Sequence, residues 1–269
     1  MRAHPRYRFC KVVSAVAAVA AVFGSSGKSA NAETLAGPPP LPEAGITAIG
    51  PADPESSARN SALITLINAV WKDATATWQI VLNVSASDRV VPQINIVPKV
   101  TPSLCYGLYI NSGPVYCSGN GTVFVSLDEM DRLAQRFDVD ANATLAFLMA
   151  HEFGHHLQMT AGRFKILSQM IRENPQRRRE YVMRFELEAD CLAGVWAGRS
   201  REFAATERVK ADLLHALARV GDDVQRASSA APDPANFWHG TSEQRAHWFY
   251  LGQKAKSPDA CDVLTAADF

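Results

Sequence analysis

The sequence predicts an α+β fold, mostly helical, with one small antiparallel β element. Three observations predict it. Apolar residues recur at helical spacing through most of the chain after Asp128. Strand-like stretches are short and confined to residues 94–125. Asn120-Gly121 stands between two of them and supplies the turn chemistry of a tight hairpin.

The chain opens on a segment that reads as a secretory signal. Arg2, Arg6, Arg8 and Lys11 form a basic stretch, Val12 to Gly24 is apolar, and Ala30-Asn31-Ala32 fits the small-residue cleavage rule. The apolar run falls short of the roughly 20 residues that span a bilayer as a helix. Residues 1–32 are therefore expected to be a signal peptide, with an uncleaved inner-membrane anchor as the alternative. The expected location is periplasmic or secreted. Residues 33–56, with Pro38-Pro39-Pro40, read as a linker. Residues 57–269 are long enough for one domain with a proper core.

Charge excludes one class of partner. The whole chain carries 27 basic and 27 acidic residues. Residues 1–32 hold five of the basic ones and no acid, so the remainder has 22 basic against 27 acidic and a net charge of −5. An acidic chain without a basic cluster is a poor nucleic-acid binder. The one local exception, Arg177-Arg178-Arg179, reads as a solvated face. No membrane span is expected in the mature chain.

A helical stripe of Leu63, Leu66, Val70, Ala74 and Val81, with Trp71 and Trp78 beside it, predicts a helix over about 57–81. Ile94 to Val97 reads as a short strand, and the prolines at 92 and 98 mean that it lies at a sheet edge or is brief. Val115 to Cys117 and Thr122 to Val125 form the hairpin, and the second of these strands offers an edge to an extended peptide. Asp140 or Asn142 starts a helix through Leu145, Leu148 and His151 to about Thr160. Further helices follow over about 164–172, 178–198 and 204–220. Thr241 and Gln244 make a capping box for a last helix through Trp248.

Cys105, Cys117, Cys191 and Cys261 lie beyond the signal. An even number in an exported chain suggests disulfides. Three pairings are possible. Cys105 with Cys117 is the local choice. Cys191 with Cys261 would then tie the C-terminal tail to a core helix, unless Cys191 is a buried free thiol.

The string His151-Glu152-Phe153-Gly154-His155 carries the chemistry. Residues four apart share a helix face, so both imidazoles can reach one ion. Zinc takes imidazole nitrogen in a tetrahedral site, and Glu152 can reach a metal-bound water without ligating the metal. A catalytic zinc needs a third protein ligand and an open position. Glu186 supplies the ligand, and Asp190, one turn later, can accept from the far ring nitrogen of a ligating histidine, His151. Glu188 lies about 200° around the helix from Glu186 and reads as a surface acid; a shifted register would make it the rival ligand. His156 reads as packing. Gly154 costs helix propensity, and the plausible gain is the close approach of another backbone.

The segments HEFGHHLQ, ELEADCLAGVWAG and HGTSEQRAHWFYLG, with CSGNGTVFVSLDE upstream, resemble the bacterial neutral zinc metallopeptidase family from about Trp71 onward. The family belongs with HExxH peptidases whose third ligand is the glutamate of an ExxxD motif. The resemblance implies a zincin-like metalloprotease domain holding one Zn2+. By position His151, His155 and Glu186 match the ligands, Glu152 the general base and Asp190 the supporting acid. Cys105 and Cys117 match the family's cysteine pair. Tyr106 departs from it, since glycine is usual there. The implied reaction is hydrolysis of a peptide bond in a protein or peptide substrate. The oxyanion needs a donor besides the metal, and the sequence offers His239, just before the last helix, ahead of Tyr181, with a structural histidine capping that turn as the alternative reading of His239. The alternative is a zinc-binding envelope scaffold or binding protein without turnover.

Overall fold

The apolar stripe at residues 63–81 forms the core-facing side of α1 (Pro54–Leu82), where Ile67, Val70, Trp71, Ala74 and Trp78 are buried. A computed structural model describes residues 45–46, 54–84, 91–97, 105, 113–137, 141–204, 206–225 and 234–266. The expected signal segment, most of the expected linker, Tyr106 and the candidate cap Asp140 lie outside the described residues.

Four strands form one sheet: β1 (Gly45–Ile46), β2 (Gln93–Val97), β3 (Val115–Cys117) and β4 (Thr122–Ser126), in the order β1-β2-β4-β3. The hairpin β3–β4 is antiparallel as expected, but β2 runs parallel to both β1 and β4, so the sheet is mixed. Two expectations are corrected here. Of the two readings of β2, the brief strand holds and the edge does not: β2 is interior, because its prolines flank Gln93–Val97 and no ladder donor is lost. The Thr122–Val125 strand cannot take up a peptide at its edge, because β2 and β3 occupy both of its sides. The edge strand beside the helices is β3.

The helices follow the sequence closely. They are α2 (Leu127–Phe137), α3 (Ala141–Thr160), α4 (Arg163–Glu173), α5 (Arg178–Arg199), α6 (Glu207–Leu217), the short α7 (Asp222–Gln225) and α8 (Ser242–Ala255). α6 starts later than the apolar pattern suggests, because Thr206 caps it by accepting from the Val209 N–H. α8 begins with the expected Thr241/Gln244 capping box. Among the described residues no helix is long and apolar enough to cross a membrane.

α3 and α5 are the central pair. Both are buried nearly all round, including Phe147, Met149, Phe153 and Leu157 on α3 and an unbroken run from Leu187 to Gly198 on α5. They pack antiparallel: His151 meets Asp190, while Gln158 meets Phe185. Gly154 allows this approach, because a Cβ there would lie 3.0 Å from the Ala189 carbonyl oxygen. The far side of α5 packs on α8 just as closely; a Cβ on Gly194 would lie 2.0 Å from the Phe249 carbonyl oxygen. Both disulfides join the expected partners, Cys105 to Cys117 and Cys191 to Cys261. The second fixes the C-terminal segment against α5.

Replacing Gly154 by valine sets a branched Cβ 3.0 Å from the Ala189 carbonyl oxygen and 3.2 Å from its Cα. We predict a loss of about 2 kcal/mol of stability in urea unfolding, the usual scale of overpacking. A variant as stable as the wild type contradicts this reading of the helix contact.

Candidate metal centre

Helical spacing places His151 and His155 one turn apart on α3, and Glu186 faces them from α5. The Nε2 of His151 lies 3.1 Å from Glu186 Oε2, and the Nε2 of His155 lies 3.4 Å from the same oxygen. One ligand atom from each of the three residues falls within 4.8 Å of the others. A tetrahedral zinc with bonds of about 2.0–2.2 Å separates neighbouring ligand atoms by about 3.3 Å, so the trio fits such an ion with a fourth position free.

Each imidazole is oriented from behind. His151 Nδ1 lies 2.7 Å from Asp190 Oδ1, and His155 Nδ1 lies 2.8 Å from Gln158 Oε1. Both rings therefore donate through Nδ1 and turn Nε2 towards Glu186. Asp190 is itself held by Arg245 of α8, whose Nε and Nη2 donate at 2.8 and 2.9 Å, while Nη1 donates to the Val220 carbonyl. The guanidinium also sits 5.3 Å above the Phe147 ring.

Glu152 lies beside the trio, buried, and accepts from the Tyr116 backbone N–H of β3 at 2.6 Å. The edge strand thus meets the candidate base directly. Burial raises the Glu152 pKa, and the nearby charges of His155 and His151 offset part of that shift. Glu186 titrates well below the usual carboxylate range: burial opposes ionisation, but His155 and His151 outweigh it. For Asp190 burial is likewise overcome, here by Arg245 and then His151. His151 is pushed up to about 10, because Asp190 and Glu186 outweigh the burial that disfavours its charge.

The other residues singled out by sequence divide clearly. His239 sits in the loop before α8, its side chain 42 % exposed. Its backbone N–H and that of Trp238 donate to Asp222 Oδ2 at 2.7 and 2.6 Å. Tyr181 instead packs with Leu167, Phe185 and Leu264 in an apolar cluster under the Arg177 guanidinium, so its ring serves the core. His156 packs against Phe153, and its Nδ1 lies 3.1 Å from the Tyr116 hydroxyl. Glu188 points away from the ligand trio, as expected, but it is fully buried and paired with Arg163, which corrects its reading as a surface acid.

Sequence reasoning missed Gln158, Arg245 and the Tyr116 N–H. Gln158 stands three residues after His155, on the same helix face, which is a usable signal. Arg245 left none, since a lone arginine in a helix reads as solvated.

The fold thus brings an HExxH helix and the ExxxD segment of α5 together at one candidate metal centre. Residues 13–264 match the family described as "Putative neutral zinc metallopeptidase", and the chain belongs to it. The uncharacterized protein YpfJ of Escherichia coli K12 is 33 % identical over 155 residues, 56 % of this chain and 54 % of that protein. The uncharacterized protein Rv2575 of Mycobacterium tuberculosis H37Rv is 31 % identical over 173 residues, 58 % of this chain and 56 % of the relative. The chain thus spans about half the length of the curated relatives it matches. No solved structure matches it.

A raised His151 pKa has a measurable consequence. In the metal-free chain its imidazolium supports the fold fully below the ordinary value of about 6.5, and that support is lost as pH rises through about 10. A ligand nitrogen must be free of its proton, so zinc binding at pH 8 is predicted to release at least one proton, about one more than unperturbed imidazoles would give. Calorimetry in buffers of different ionisation enthalpy reads the number. Zinc binding without proton release contradicts the charge assignment.

Proposed function

We propose that the chain is an exported zinc-dependent peptidase that cleaves peptide bonds with one Zn2+, held by His151, His155 and Glu186. The observation that carries this reading is the convergence of two imidazole nitrogens and a carboxylate oxygen from α3 and α5, with Glu152 beside them. Family membership supports protein substrates and zinc.

The bound ion would supply Lewis acidity to the scissile carbonyl and to a water molecule. Every other part falls to the protein. Glu152 takes the water proton and delivers it to the leaving amine. Its carboxylate is anchored at one oxygen by the Tyr116 N–H, which leaves the other to face the reacting water. Asp190, fixed by Arg245, keeps the His151 ring aimed inward. His239, held in its loop by Asp222, stands as donor to the oxyanion. Burial of α3 and α5 excludes solvent from behind the site.

Export is supported by the basic and apolar N-terminal pattern and by two disulfides, which persist in oxidising compartments.

The test is Glu152→Gln. It preserves shape and ligands but removes the base. The variant is expected to bind zinc like the wild type while hydrolysis of casein or a peptide library falls by about 100- to 10,000-fold. Undiminished hydrolysis in the variant, or zinc-loaded wild-type protein with no activity on any peptide, sinks the reading; the latter result would favour a zinc-binding scaffold.

A further inference from the structure

Glu188 has no part in the reaction assigned to the site, yet it is fully buried, two residues after Glu186 on the opposite side of α5. Its Oε1 accepts from Gln158 Nε2 at 3.1 Å and from Arg163 Nε at 2.9 Å. Its Oε2 accepts from Arg163 Nη2 at 2.6 Å and from the Leu264 backbone N–H at 3.2 Å. Arg163 also pairs with Asp262.

A side-chain amide has one accepting end and one donating end. The donating end of Gln158 lies between the Phe185 carbonyl oxygen, at 2.8 Å, and Glu188 Oε1. Neither of these groups donates. Reversing the amide would set its oxygen against two acceptors and its NH2 against His155 Nδ1. With the amide in place, Gln158 Oε1 accepts from His155 Nδ1–H, and the lone pair is left on Nε2, the nitrogen that faces Glu186.

We propose that Glu188 is a positioning residue: as a carboxylate clamped by Arg163, it fixes the direction of the Gln158 amide and thereby the tautomer that His155 presents to the metal. The inference rests on the reading of His155 as a ligand. It also gives the C-terminal segment a role. Asp262 and Leu264 complete the clamp, and the Cys191–Cys261 disulfide holds that segment in place. His151 and His155 are thus backed differently, one by a carboxylate paired with arginine, the other by an amide whose orientation a second ion pair dictates.

Zinc affinity, measured by competition with a chelating dye, tests this in Glu188→Gln, Gln158→Leu and the double variant. Glu188→Gln puts a donor where an acceptor stood. Each single change is expected to weaken zinc binding by about 10- to 100-fold. The double variant is expected to bind no more weakly than Gln158→Leu alone, because one residue acts through the other. Asp262→Asn loosens the same clamp one residue further out, leaves Glu188 and Gln158 in contact, and is expected to weaken zinc binding by clearly less than Glu188→Gln does. Additive losses, or a loss in Asp262→Asn equal to that in Glu188→Gln, overturn the proposal in favour of a merely structural ion pair.

Should Glu188→Gln fail to fold, 15N NMR of zinc-loaded wild-type protein decides. A proton on His155 Nδ1 is expected, and a proton on Nε2 overturns the proposal. Wild-type protein that binds no zinc removes the metal reading itself. Tight wild-type binding that survives Glu188→Gln removes only this inference.

Discussion

The close contact of α3 and α5 at Gly154 and Ala189 governs the rest of the structure. The candidate ligands come from both helices, so the helix separation sets the spacing of the candidate ligand atoms. Glycine at 154 brings the α5 backbone to within van der Waals distance at the level between the two histidines. At that separation a glutamate on α5 spans the gap to both imidazoles, and an aspartate one turn on reaches the back of the first. A wider spacing would leave short side chains such as Asp190 out of reach. The glycine's cost in helix propensity, about 1 kcal/mol, is offset by the contact it permits.

That geometry concentrates charge in a dry place. His151, Asp190, Glu188, Arg163 and Arg245 are all buried. Isolated charges there would be strongly unfavourable, and each is tolerated because a partner of opposite sign and a directed hydrogen bond accompany it. The pairs come from distant parts of the chain: Arg245 from α8, Arg163 from the start of α4, Asp262 from the tail. Packing of α8 against α5 through Gly194 and Gly252, and the Cys191–Cys261 disulfide, bring these groups to the cluster. The outer shell of the fold therefore serves the electrostatics of its centre.

Much of this was legible in the sequence, for identifiable reasons. Helical spacing alone puts His151 and His155 on one face, and Glu186 with Asp190 on another, so the convergence of the trio could be anticipated from two local patterns. Gly154 advertised a close backbone because glycine is costly inside a helix. The α8 capping box was equally readable, whereas the Cys191–Cys261 pairing stayed open because spacing alone does not separate a disulfide from a buried free thiol. What failed to show was long-range. Sheet order is not encoded in any short stretch, so an edge position for β2 stayed open and β4 was given a free side it lacks. Glu188 looked like a surface acid because helical angle says which way a side chain leaves its own helix, and not what lies there. Arg245 and the Tyr116 N–H were invisible for the same reason, since their roles depend on partners 55 and 36 residues away in sequence.

A single divalent ion between α3 and α5 would account for this whole arrangement. Anomalous diffraction at the zinc edge from zinc-loaded crystals addresses it most directly. The account predicts a single strong peak within bonding distance of His151 Nε2, His155 Nε2 and a Glu186 oxygen, with solvent at the remaining position. A peak elsewhere in the molecule, or none at this cluster at full zinc loading, would contradict it.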